Sequence, residues 1–326
     1  MIRFSNAALE GGAARPRTPA IDIARGVAVA AMVVYHLSWD LSELRLIAVE
    51  VTAEPGWRAF ARVIAASFLL LVGIGLALAH PGRIRWLRFW RRLATVAAAS
   101  LLITAGTYVA FPESYIFFGI LHAITVASLL AVPFTQAPSW VPGGLAMLVA
   151  SAPLVLGGGV FEVPALAFLG LAARPPITND WVPLFPWAAF VFAGVALGIQ
   201  GRGRLAAHAA PVRSPVGRAL AWAGRHSLAI YLLHQPLLFG ALFGIAQLIG
   251  PNLSAVAARV ERSCPVSYVQ AGMAEAKARA VCGCTIADMQ AERLWTDFLR
   301  ERLAPEQQAA ISRIARACRA RTEPAE

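Results

Sequence analysis

Stretches of about 17 to 25 mostly apolar residues, the length a helix needs to cross the hydrocarbon core of a bilayer, recur seven times before position 250. Lipid offers backbone groups no water, so such stretches can settle only as helices that satisfy their own hydrogen bonds. Spans are predicted over about 22–40, 58–79, 93–111, 115–134, 140–158, 184–200 and 226–249. The expected fold is an all-α polytopic membrane bundle. Composition agrees: 14% of residues are charged, against about 25% in a soluble domain, and the mean hydropathy is +0.61. No cleavable leader is expected, because the first apolar run is long enough to remain as a span.

A net charge of +11 invites a nucleic-acid partner, but its placement argues against one. Arg83, Arg85, Arg88, Arg91 and Arg92 precede one span, and Arg202, Arg204, Arg213 and Arg218 precede another. Clusters in short connections orient spans with their positive side inward and attract anionic lipid. With Arg3, Arg15 and Arg17 the N-terminus is placed inside, and the loop at 40–57, with Asp40, Glu43, Glu50 and Glu54 against Arg45, outside. Seven crossings then leave the tail outside. A crossing by the apolar stretch 161–171, broken by Pro164, would reverse that parity. One lysine, Lys277, among 28 arginines fits a GC-rich bacterial genome, so the expected location is a bacterial inner membrane.

The chain divides into a segment 1–20, a membrane domain 21–250 and a tail 251–326. The tail carries amphipathic patterning, as in Ile311, Ile314, Ala315 and Cys318, and Pro305–Glu306 reads as the first turn of a last helix. All four cysteines, Cys264, Cys282, Cys284 and Cys318, lie there. In an oxidising compartment they imply two disulfides, with three connectivities open. The Cys-x-Cys spacing without a nearby histidine is poor for zinc, and no metal is expected.

Ionisable side chains inside spans are costly and point to function. Arg25 and His36 lie eleven residues apart in the first span, on one helical face and about 16 Å apart. Asp22 is placed to pair with Arg25, and Asp40 to orient the His36 imidazole. His122 falls at a depth close to that of His36. His234 is followed by Gln235 and Pro236, and proline in a span tolerates a polar cavity. Asp180 reads as a site residue or a helix cap. His80, His208 and His226 are expected to be solvated.

Four motifs in order carry a resemblance over about 18–245. They are Ile21-Asp22 … Arg25-Gly26 … Tyr35-His36; Phe118-Gly119-Ile120-Leu121-His122; Pro183-Leu184-Phe185-Pro186-Trp187; and Gly224-Arg225-His226-Ser227-Leu228 … Tyr231-Leu232-Leu233-His234-Gln235-Pro236. Together they resemble the heparan-α-glucosaminide N-acetyltransferase catalytic-domain family, and the first is similar to bacterial membrane O-acyltransferases. The resemblance implies a transmembrane N- or O-acyltransferase that takes acetyl from cytosolic acetyl-CoA to an amine or hydroxyl of an extracytoplasmic glycan or amino sugar. It implies His36 as general base, His122, His234 or Gln235 assisting, and Arg25, Arg88, Arg91, Arg92 and Arg225 receiving the anionic coenzyme A head. In the lysosomal enzyme the histidine regarded as catalytic falls in the luminal loop. This chain has no histidine between Leu37 and Ala79, so that role would pass to His36. An acyl-histidine and direct transfer both stay open, as does assembly into a homo-oligomer. A transporter or flippase with a polar pathway, or a non-catalytic membrane scaffold, are the alternatives.

Overall fold

A computed structural model describes residues 18–203 and 212–322; Arg3, Arg15, Arg17, Arg204 and His208 lie outside them. Among the described residues every regular element is helical. The membrane part comprises α1 (Pro19–Glu43), α2 (Pro55–Ala79), α3 (Trp86–Ala110), α4 (Ile120–Ala131), α5 (Trp140–Val155), α6 (Leu184–Gln200), α7 (Pro215–Arg225) and α8 (Ser227–Ile249). The tail forms α9 (Leu253–Gln270), α10 (Glu275–Ala291), α11 (Trp295–Leu299) and α12 (Pro305–Arg321). Four helices, α1, α2, α3 and α8, are long and apolar enough to cross a bilayer. The apolar helices at α4, α5 and α6 are shorter. Leu101, Leu102, Met147, Leu148 and Leu248 are exposed, a surface that suits acyl chains and would aggregate in water.

The open question of the stretch 161–171 is answered, and two sequence expectations are corrected. Residues 161–171 form two short 3-10 turns, Gly159–Glu162 and Pro164–Leu169; six residues at about 2 Å rise cannot span a bilayer. The connection at 80–92 is shorter than expected, because α3 starts at Trp86 and carries Arg88, Arg91 and Arg92 in its first two turns. Within the connection 201–225, α7 forms. Ser214 caps it by accepting the Gly217 N–H at 3.0 Å, with Pro215 in the first turn.

The chain forms two compact units, 1–32 with 62–232 and 33–61 with 233–326. In the first, α5 packs on α6 and α4 packs on both α3 and α6, around Leu69, Phe118, Val191 and Val195. Small residues let the backbones close up, as in other membrane bundles. A Cβ on Gly198 would fall 2.8 Å from the Ala77 side chain, and one on Gly26 would overlap the Leu220 carbonyl. Arg202 closes the ends of two elements by donating to the Ala77 and Thr135 carbonyls at 3.2 and 2.7 Å. In the second unit, Met289, Leu294, Ala310, Ile314 and Cys318 form the tail core. Two disulfides resolve the connectivity. Cys264–Cys282 joins α9 to α10, and Cys284–Cys318 joins α10 to α12.

Candidate functional site

The first unit contains a cavity of about 1220 Å³, bounded by α1, α2, α3, α4, α7 and the start of α8, at the large end of small-molecule sites. Its polar lining includes Asp22, Arg25, Arg92, Arg225, His226 and Tyr231. Glycine makes its floor: a Cβ on Gly75 would sit 2.5 Å from the Arg25 Nη2 and 4.0 Å from the Arg92 Nη1. Two guanidiniums therefore gather over one bare stretch of backbone. Among the described residues that line it the one carboxylate is Asp22, 3.9 Å from Arg25 and beyond hydrogen-bond reach. The cavity is thus electropositive, and two planar forks face the oxygens of an incoming anion. Arg88 and Arg91 do not line it. Arg91 points about 100° round α3 from Arg92, and Arg88, on the same face as Arg92, lies one turn nearer the helix start.

Behind the cavity wall, α4 begins at a dense polar junction. Gly119 donates its N–H to His122 Nδ1 at 3.2 Å. Thr104 donates its hydroxyl to the Ile116 carbonyl at 2.7 Å, so the 3.2 Å contact between Thr104 Oγ1 and His122 Nε2 must carry the histidine's proton. His122 is fixed as the neutral Nε2–H tautomer, with both nitrogens engaged. Asp180 accepts the Ile120 N–H at 3.0 Å. It is a helix cap, but for α4 rather than the helix that follows it. Burial raises the Asp180 pKa, and the Ile120 N–H only partly opposes that. Thr178 Oγ1 donates to the Tyr115 carbonyl and Asn179 N–H to Ser114, which pins the 178–182 segment beside the α4 entry.

His80, expected in solvent, is buried. Its Nδ1 accepts the Arg85 N–H at 3.2 Å. Burial and then the nearby Arg92, Arg85 and Arg88 lower its pKa. His226 is exposed, as expected, with Nδ1 2.9 Å from the Trp222 carbonyl at the end of α7.

The second unit brings together four residues that the sequence singled out. His36 and His234 meet edge to face with ring centroids 4.8 Å apart. Gln235 donates Nε2 to Asp40 Oδ1 at 2.5 Å. Asp40 is fully buried, and its hydrogen bond goes to Gln235 rather than to His36, the partner expected from the four-residue spacing. His36 Nδ1, Asp40 Oδ2 and Gln235 Oε1 are buried without a hydrogen-bond partner. Buried polar atoms are nearly always paired, so this cluster has unused capacity to hold a polar group. Tyr35 packs against Trp57 and Phe60 on its other side, which fixes the helix carrying His36.

Sequence reasoning passed over Thr104, which sets the His122 tautomer, and Tyr231, which lines the cavity. Both are ordinary residues of apolar spans, and only their neighbours mark them. Compared with known proteins, residues 17–236 match the family model described as "Heparan-alpha-glucosaminide N-acetyltransferase, catalytic". No curated protein and no solved structure matches the chain.

Proposed function

Because the chain belongs to the heparan-alpha-glucosaminide N-acetyltransferase catalytic family, and is therefore a membrane acyltransferase, we propose that it moves an acetyl group from acetyl-CoA to an amine or hydroxyl of an amino sugar or glycan. The observation that carries the reading is the pairing of Arg25 with Arg92 over Gly75, a site for a polyanion with little internal neutralisation. Arg25 and Arg92 bind the phosphates of the donor, with Arg225 at the rim adding charge that draws it in. Within α1, Arg25 and His36 are eleven residues apart, about three helical turns.

His36 takes the proton of the attacking amine or hydroxyl through its unpartnered Nδ1, a role suited to imidazole. The new bond forms at the acetyl carbonyl carbon, the C–S bond breaks, and His36 returns the proton to the departing thiolate. His234 packs the imidazole in place, and Gln235 holds the Asp40 carboxylate beside it. His122, with both nitrogens engaged, positions the α4 entry instead of handling protons. Oriented by its arginine clusters, the chain has its N-terminus in the cytoplasm of a bacterium and its disulfide-bonded tail on the oxidising, periplasmic side.

The test uses purified full-length protein. Acetyl-CoA should raise the melting temperature, since a ligand that binds only the folded state stabilises it. Arg25→Ala and Arg92→Ala should remove that shift. His36→Ala should keep the shift and lose acetyl transfer to glucosamine. Full transfer by His36→Ala would end its assignment as base, and absence of any shift in the parent protein would end the donor assignment.

A further inference from the structure

The family match stops at residue 236, so nothing in it assigns a task to the tail. Yet the tail grips the end of the helix that carries His36. α1 finishes in a Schellman motif: the Leu46 N–H bonds to the Leu41 carbonyl at 2.9 Å and the Arg45 N–H to Ser42 at 3.1 Å. The left-handed residue in this motif is usually glycine. Here it is Arg45, with φ +58°, a conformation that an L side chain adopts at a cost.

The tail supplies what holds that turn. Arg259, on α9, donates through Nη2 to the Ser42 carbonyl at 2.6 Å and to its hydroxyl at 3.2 Å. Arg262 donates to the Ala48 carbonyl. The Asn252 N–H donates to the Arg45 carbonyl at 3.2 Å, and Arg45 pairs with Glu301 at 2.5 Å. That ion pair is exposed and contributes little. The bonds around Ser42 are different, because Ser42, Asp40 and Val51 are all buried, and the Val51 N–H closes on the same hydroxyl at 3.4 Å. The last turn of α1 contains no basic residue of its own. Arg259 therefore provides the cation that a helix C-terminus favours, two residues beyond Asp40 and six beyond His36. The Cys264–Cys282 bond ties the helix bearing Arg259 to α10.

We propose that Arg259 is a positioning residue for the transfer reaction: by fixing the Ser42 turn from the tail, it sets the placement of Asp40 and His36. The proposal rests on the acyltransferase reading above. Misplacement of a reacting group by about 1 Å can cost on the order of a hundredfold in rate.

The experiment uses the full-length protein, with acetyl-CoA as donor and glucosamine or water as acceptor, and follows coenzyme A release. Arg259→Ala should lower kcat by about ten- to a hundredfold while the KM for acetyl-CoA stays within about twofold, since Arg25 and Arg92 are untouched. Amide exchange over residues 41–51 should accelerate by about tenfold or more. Arg259→Lys, which keeps one donor, should recover part of kcat. Should Arg259→Ala fail to fold, Ser42→Ala, which removes one of the two acceptors, should lower kcat with KM unchanged. An unchanged kcat in either variant, or equal loss of kcat and of donor affinity, overturns the positioning role. Wild-type protein that releases no coenzyme A with either acceptor overturns the acyltransferase reading, and the proposal with it.

Discussion

Gly26→Ala should separate α1 from α7 and disturb the donor cavity without adding or removing a polar group. A Cβ at Gly26 would lie 2.6 Å from the Leu220 carbonyl carbon and 3.0 Å from its Cα, and would overlap the carbonyl oxygen. Carbon atoms rest at about 3.5 to 4.0 Å, so the helices must part by about 1 Å. The obstacle is main chain, which no rotamer change can move aside. Two effects compete. Replacing glycine by alanine inside a helix gains about 1 kcal/mol, whereas overpacking costs about 1 to 3 kcal/mol and sometimes more. Here the overlap involves three rigid backbone atoms, so the upper end applies and the net loss is about 2 kcal/mol. For a chain of 326 residues that lowers the melting temperature by about 3 °C. Gly106, on α3, meets nothing within 4 Å, so Gly106→Ala isolates the propensity gain and should melt slightly higher than the parent. Since Arg25 adjoins Gly26 and Gly224 and Arg225 line the cavity, Gly26→Ala should also weaken the acetyl-CoA shift, and Gly106→Ala should not. Thermal unfolding of both variants with and without acetyl-CoA reads each effect. If Gly26→Ala melts as high as Gly106→Ala, the close crossing inferred from the Leu220 carbonyl is wrong.

Two further predictions concern stability. Asp180 has a raised pKa in the folded state, so between the unfolded value of about 3.9 and its folded value the unfolded chain has lost the proton and the folded one retains it, and stability falls as pH rises. Asp180→Asn keeps an acceptor for the Ile120 N–H, so its melting temperature relative to the parent should climb from pH 4 upward and then level; a pH-independent difference would refute the burial argument. Cys284→Ala with Cys318→Ala releases a cross-link spanning 34 residues, worth about 4 kcal/mol in the chain-entropy picture. Amide exchange in α12 should accelerate several-hundredfold, and a change below about tenfold would mean that the Ile314 core holds the tail alone.

The bundle was legible because membrane physics leaves apolar runs few choices: every predicted span corresponds to an apolar helix. The tail's last helix was legible from Pro305 and from the spacing of Ile314 and Cys318, both of which are buried. What escaped was set by tertiary partners. Arg88, Arg91 and Arg92 argued for a loop because charge counts against a span, yet α3 accommodates them by turning Arg92 inward. α7 was hidden among arginines, although Ser214–Pro215 was a usable start signal. The four-residue spacing of His36 and Asp40 suggested a pair, but Gln235, 195 positions away, offered the better donor. His122 carried a histidine's usual promise, and nothing local announced that Thr104 and Gly119 would occupy both nitrogens.

Most of the oxygens that the tail grasps in the loop after α1 belong to the main chain: those of Ser42, Arg45 and Ala48. Peptide carbonyls are the same whatever residue carries them. Evolution can therefore rewrite much of that loop to suit different acceptors while the grip survives, and correlated changes between loop and tail would be faint. If Arg259 positions the loop as proposed, the extension would act as a bracket indifferent to the side chains of the surface it steadies.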